Sequence, residues 1–523
     1  MLNLWRSMNN SRDVILSTTP LVDESVWPNS GCLWSGQEVS LVASAVVGFR
    51  EQVVMSQQGG MDLAAVDQLT RRAALQLGTG LFGLSLPGYL AASRAGQVDP
   101  ARRDYSCIFL FLAGGISHFE SWDPKPDAPV GIRGLWSPQS TNVPGTFITE
   151  KMPLLARMMD KVAVVRSWKG ASGSHGDASK HAMSGVLPRS RNQQYFPNFG
   201  CIASTVLGTR QPGIPSYVGV PVAARYTTPS GYLGPAYSAF DVDGDPSAKD
   251  FQIDGLRLPR GRFETRRSLL DQVDNLGRLA SSGNNTLSVH DNLFEEAVTT
   301  LTSGAIQKAA KLDEESLAVR QRYGMNIYGQ RVLLARRMIE AGARFVTVNH
   351  AVQGGLFGKG LTNGTWDNHG WLFDSMMSFG SRPAAVGKDQ TWHEYKGPGN
   401  LPQLDMSLTS LLTDLEERGL LDTTLVVAMG EFGRTPKINK TAGRDHYPRA
   451  GNVLLAGAGV KGGVVIGATD PNGAAPATRP WTPVDFGASI YHALGIDPET
   501  TYFPRLPRPT KIAEGQVIDG LFA

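Results

Sequence analysis

Two short stretches carry the side chains best suited to chemistry. In the first, Val426-Val427-Ala428-Met429-Gly430-Glu431-Phe432-Gly433-Arg434-Thr435 is followed closely by Gly443-Arg444-Asp445-His446-Tyr447. An apolar run ends in a glycine, the carboxylate of Glu431 comes next, and an Asp-His pair follows after a loop. The second stretch is Trp366-Asp367-Asn368-His369-Gly370. In an extended loop, residues i and i+2 point the same way, so Asp367 and His369 can address one metal ion. Within Asp445-His446, one side chain can ligate while its neighbour orients it. Carboxylates and imidazoles grouped in this way are the ligands of hydrolytic metal sites. Arg434 and Arg444 suit an anion, because guanidinium grips phosphate or sulfate through two parallel N–H bonds. Structural ion pairing with nearby carboxylates is an equal alternative for both.

Of the nine histidines, His118, His175, His369 and His446 follow an expected strand or open an expected helix, where α/β sites are built. His350 ends a strand and can line the same cleft. His290, His393 and His492 have no acidic or glycine-rich partner motif and read as surface or core residues.

The elements that must position these groups follow from hydrophobic pattern. Residues 105–113 (YSCIFLFLA) are apolar at nearly every position, which fits a central strand covered on both faces. Further strands are expected over 162–166, 215–220, 344–350, 424–429, 452–456 and 463–466. Helices are expected over 152–160, 175–184, 199–207, 404–418 and 483–494, with a helical pattern through 263–342. Residues 223–262, rich in Gly, Pro, Tyr and Asp, read as a long loop or insertion. Helices alternating with buried strands predict an α/β protein with a doubly wound sheet.

Composition sets outer bounds. The chain has 523 residues, enough for a large core, and 50 Lys and Arg against 47 Asp and Glu give +3. That balance offers no global electrostatic case for nucleic acid or a membrane surface. Cys32, Cys107 and Cys201 are scattered and form no zinc cluster.

Residues 1–60 lack clear periodicity and read as an extension outside the domain, with translation starting at Met55 or Met61. Over 61–103, Thr70-Arg71-Arg72 precedes a moderately apolar, Gly-rich stretch and small residues through Ala95. This resembles a twin-arginine export signal and implies a periplasmic or extracellular protein. The stretch is too short and Gly-rich for a stable membrane span. The domain is expected over 104–523.

The motifs LAGGISHFESWDPKP (112–126), KVAVVRS (161–167), TWDNHG (365–370), VVAMGEFGRTPKIN (426–439) and GRDHYPRAGNVLLAGAGVKGG (443–463) resemble a bacterial family, domain of unknown function 1501, abundant in planctomycetes. The likeness spans roughly 104–500. It implies the alkaline phosphatase-like superfamily of phosphatases, sulfatases and phosphomutases. The fold it implies is a mixed, mostly parallel sheet with helices on both faces. It implies one or two divalent metal ions (zinc, calcium or manganese) at the carboxyl ends of the strands. It further implies a small anionic ester or sulfated glycan as substrate.

By that resemblance, Asp367, His369 and His446 match one metal site, and Glu431 stands where an Asp of the second is placed. Ala113-Gly114-Gly115 occupies the position of an expected first-strand Asp, for which His118 or Asp123 would substitute. Counting back from Gly185 to the helix start, where these families carry a hydroxyl or thiol nucleophile, lands on His175, with Ser174 adjacent. His175 is then a ligand, a general acid or a histidine nucleophile. The expectation is an exported metal-dependent hydrolase of phosphate or sulfate esters. Its rival is a catalytically silent member that binds glycan or a cell-surface partner.

Overall fold

The structure is a computed structural model that describes residues 98–187, 196–221, 230–234, 237–253, 297–351, 366–370, 372–379, 397–502 and 510–523. The expected extension, the twin-arginine segment, Cys32, His290 and His393 lie outside the described residues.

Eight strands form one sheet: Ser106–Phe111 (β1), Val162–Trp168 (β2), Tyr217–Val220 (β3), Phe240–Asp241 (β4), Phe345–Asn349 (β5), Thr424–Met429 (β6), Gly451–Ala456 (β7) and Val464–Ile466 (β8). Their order across the sheet is β8-β2-β7-β6-β1-β5-β3-β4. Strand β7 runs antiparallel to β2 and β6, and every other pairing is parallel.

The central strand β1 is buried at all its positions. Alternation divides its side chains between two cores. Ile108 and Leu110 join Val426 and Val346 beneath Ile327–Ala341 (α3) and Asn400–Glu417 (α4). Cys107, Phe109 and Phe111 join Val427 and Phe345 beneath His175–Ser184 (α1), Phe199–Leu207 (α2) and Pro483–Ala493 (α5). Helices therefore cover both faces, which is why β1 reads as a continuous apolar run. Cys107 and Cys201 are buried free thiols.

Two expectations need correction. Residues 152–160 form two short 3-10 turns, Leu155–Arg157 and Met159–Lys161, in place of one helix. The Asp405 carboxylate of α4 takes the N–H groups of Leu154 and Leu155 and so pins the chain from outside. The 223–262 stretch is not loop throughout, because Phe240–Asp241 pairs with β3 and extends the sheet.

Strands β1, β2, β5 and β6 are mutually parallel in sense, so their carboxyl ends share one edge of the sheet. The antiparallel β7 begins at that edge. The segments after β1, β2, β5 and β6 and the segment before β7 therefore meet there.

Candidate metal centre

Each segment brings one part of the site to that edge. Helix α1 follows β2 and opens with His175; it ends at Gly185, whose left-handed φ of 72° lets its N–H return to the His181 carbonyl oxygen. Asp367 and His369 lie beyond β5, and Glu431 lies just past β6. Asp445 and His446 precede β7. A two-stranded ribbon pairs Arg434 with His446 and Gly433 with Tyr447, which holds the 446 side chain in register.

Asp367 is the hub. Its Oδ2 lies 3.1 Å from His175 Nε2, and its Oδ1 lies 3.0 Å from His446 Nε2 and 3.2 Å from His369 Nε2. Arg434 Nη2 donates to Oδ1 at 2.9 Å. Burial pushes the Asp367 carboxyl up, but His175, His446 and Arg434 outweigh it and hold it well below the usual carboxylate range. His175 Nδ1 lies 2.7 Å from Glu431 Oε1. Burial lowers the His175 imidazole, but the Asp367 and Glu431 carboxylates overcome this and raise it to about 9.

Glu431 is buried, and both its carboxylate oxygens accept from the Gly114 N–H, at 2.9 and 3.1 Å. Gly114 has φ 111°, and a Cβ there would overlap the backbone of Trp366 and Asp367. No side chain fits at Gly114, the middle of the Ala113-Gly114-Gly115 stretch where the family resemblance leads one to look for an Asp. The backbone N–H takes its place in organising the site.

The ring protons add a constraint. His446 Nδ1 lies 2.8 Å from the Gly173 carbonyl oxygen, an acceptor only, so this nitrogen carries the proton. His369 Nδ1 lies 2.7 Å from Asp445 Oδ1 and carries one by the same logic. The Nε2 atoms of these two rings then face each other at 2.8 Å, with Asp367 Oδ1 beside both. Neutral rings would set lone pair against lone pair there. The arrangement calls for extra protons or for a cation.

His175, Asp367 and His446 each offer one ligand atom within 4.8 Å of the others. His369 adjoins them, while Asp445 holds His369 from the outside and is kept low chiefly by the hydrogen bond from it. Of the expected metal ligands, His118 and Asp123 are not brought to this cluster. His118 is fully buried, with Nε2 3.0 Å from the Gly473 carbonyl oxygen, and burial lowers it to about 4. Asp123 pairs with Lys125 at 2.9 Å and Arg166 at 3.5 Å. His350 and His181 are also buried away from the cluster's contacts.

The anion-holding role expected of the two arginines conflicts with their bonding. Arg434 is fully buried and donates to the carbonyl oxygens of Gly114, Gly115, Trp366 and Arg444 as well as to Asp367. Arg444 is fully buried against Glu120 at 2.7 Å and donates to the carbonyl oxygens of Thr435, Pro436 and Ile132. These are the ion-paired positions left open as the alternative. Ser174 precedes α1, is exposed, and makes no capping bond to the helix.

Glu120, the Gly114 N–H and the Gly173 carbonyl were not picked out from the sequence. Glu120 stands inside the 112–126 motif, but nothing in its type distinguishes a buried partner of Arg444 from a surface carboxylate.

An α/β sheet with imidazoles and carboxylates converging on its carboxyl edge defines the class. The chain belongs to the family described as Protein of unknown function (DUF1501), whose family model matches residues 104–522. Among solved structures it is similar to the lipoteichoic acid synthase LtaP from Listeria monocytogenes, at 11% identity over 76% of each chain and TM-score 0.34. It is similar to the PsFucS1 sulfatase from Pseudoalteromonas sp., at 12% identity over 83% of this chain and 77% of that one, TM-score 0.33. It is also similar to the phosphonate monoester hydrolase of Agrobacterium radiobacter, at 9% identity over 79% and 76%, TM-score 0.32. No curated protein matches by sequence.

Proposed function

We propose that the protein is an exported, metal-dependent hydrolase acting on phosphate or sulfate esters, with His175, Asp367 and His446 as ligands of a divalent cation. The observation that carries this is their convergence from three separate segments to within 4.8 Å. The donor set fits the group. Two imidazole nitrogens and a carboxylate are typical of catalytic zinc, which keeps an open fourth position. Metal bonds of about 2.0–2.1 Å in tetrahedral geometry put neighbouring ligand atoms about 3.3 Å apart. His446 Nε2 reaches Asp367 Oδ1 at 3.0 Å, His175 Nε2 reaches the other oxygen, Oδ2, at 3.1 Å, and one ligand atom from each residue lies within 4.8 Å of the others. A cation also resolves the opposed lone pairs of His369 and His446.

A bound cation supplies Lewis acidity toward the ester oxygen. The chain's own residues do the rest. Glu431 fixes the His175 ring, as Gly173 fixes that of His446, so each presents Nε2 inward. Arg434 anchors Asp367. The His175 side chain is 23% exposed, enough for a substrate to reach the cluster. Ser174, exposed at the helix start beside it, is the hydroxyl we assign as the attacking group. His369, held by Asp445 through Nδ1, would add its Nε2 to the ligand set.

Export by the twin-arginine route remains part of this proposal, on the strength of Arg71-Arg72 and the stretch that follows them. No helix among the described residues is long and apolar enough to cross a membrane.

Elemental analysis of the purified full chain beside Asp367→Ala tests the reading. The expected result is one or two equivalents of zinc, calcium or manganese, lost in the variant. A chain with no metal, and none taken up on titration, would overturn it.

A further inference from the structure

Arg331 stands apart from the other buried arginines. It lies in α3, 1% exposed. Its Nη1 donates to the carbonyl oxygens of Asn349 at 3.5 Å and Ala351 at 3.0 Å, straddling the end of β5. Its Nε and Nη2 are buried and have no hydrogen-bond partner. Among the described residues, no carboxylate forms an ion pair with it.

That unpaired edge is the one that recognises anions. The Nε–H and one Nη2–H of a guanidinium point the same way and form the parallel fork that grips a carboxylate, sulfate or phosphate. In two other buried arginines, Arg444 and Arg336, this edge faces carboxylates. Arg444 turns Nε and Nη2 to Glu120. Arg336 sets Nε 2.8 Å from Asp414 Oδ2 and Nη2 2.8 Å from Glu315 Oε1.

The surroundings repeat the deficit. Asn349 Oδ1, on the strand end that Arg331 straddles, is also buried without a partner. Burial lowers Arg331 to about 10, against the smaller raising effects of Tyr328, Asp245 and Asp243, so it remains charged at neutral pH. Residues 352–365, which follow the strand, contain no Asp or Glu.

We infer that Arg331 is the core of a small-oxyanion site at the end of β5, where Nε and Nη2 hold a carboxylate, sulfate or phosphate group. This site is separate from the metal centre and stands whether or not that centre binds metal. A buried, permanently charged guanidinium is stable only when paired, and an anion supplies the pair. Its effect is to lock α3 against β5, the strand that leads into the Asp367 loop.

The test uses the full chain dialysed into chloride. Thermal unfolding is followed in sulfate, phosphate and acetate at matched ionic strength, for the wild type and Arg331→Lys. Lysine keeps the charge but lacks the fork. Sulfate stabilises proteins generally, so the informative quantity is the difference between the two proteins. At least one oxyanion should raise the wild-type Tm by at least about 2 °C more than the variant's, as expected for a ligand bound only by the folded state. The anion giving the larger response separates a planar carboxylate from a tetrahedral oxyanion. A wild-type crystal soaked in selenate, which needs no variant, should show anomalous density at Nε and Nη2 if the ion is tetrahedral. Equal responses in both proteins, or an Asp or Glu side chain of this chain seated at the fork, would overturn the inference.

Discussion

His175 Nε2 lies 3.1 Å from Asp367 Oδ2 although 192 residues separate them in sequence. The helix after β2 and the loop after β5 have no local reason to meet. The sheet brings them together, and the contact makes Asp367 the shared partner of three imidazoles and one guanidinium.

Replacing Asp367 by Asn should remove the metal while leaving the fold intact. The amide keeps an acceptor for Arg434 but not the charge. The lost charge-assisted bonds should cost about 1.5–3 kcal/mol of stability. Circular dichroism and metal analysis on the same sample check this. Full metal content in Asp367→Asn would remove Asp367 from the ligand set.

In metal-free protein the His175 ring should titrate near 9 rather than near its ordinary 6.5. Because the folded value is raised, its contribution to stability is complete below pH 6.5. It is lost as pH rises through about 9. Metal uptake should release protons over the same range, since the ligand nitrogen must be bare. NMR of the ring in apo protein would decide the point. A midpoint near 6.5 would show that the two carboxylates do not hold it.

Glu120→Ala should unfold the protein more readily without changing its metal stoichiometry. Removing one partner of a buried pair leaves Arg444 charged and uncompensated, at about 3–5 kcal/mol. His118→Gln should likewise keep full metal content, because its ring bonds to Gly473 away from the cluster. Denaturant unfolding paired with elemental analysis separates these effects. Loss of metal from folded His118→Gln would return that residue to the site.

Gly114→Ala should be severely destabilising. The positive φ alone costs about 1–3 kcal/mol for a residue with Cβ, and the overlap with Trp366 and Asp367 adds to it. Any folded fraction should also have a displaced Glu431. A variant with near-native Tm would show that the turn after β1 has room to spare.

The sheet was legible because its strands are buried on both faces and spell themselves out as apolar runs; 424–429 is observed with the bounds expected of it. The 152–160 segment was not: it closes into two short 3-10 turns docked on a carboxylate 250 residues away, a partner no local pattern announces. In the site, Asp367, His369, Glu431, Asp445 and His446 were visible as chemical types at strand ends, and the structure groups them. What the sequence could not show was which arginines are consumed. Arg434 and Arg444 look like anion holders in one dimension, while their carbonyl and Glu120 partners exist only in three. His118 misleads for the complementary reason: it follows β1 as a site residue should, but its ring turns into the core.

The pairing of β1 also bears on how the chain must be made. Ser106 aligns with Thr424 on one side, and Cys107 with Phe345 on the other. The most apolar strand thus emerges early and waits for both neighbours. At about 5–20 residues per second, the partner at 424 arrives roughly 16–60 s later. For roughly the first 12–48 s both edges of SCIFLF lack their partners, and the edge that β6 covers stays open until 424 follows; open apolar edges of this kind aggregate. Yield of the folded chain should therefore respond to holdase chaperones more than to changes at the metal centre.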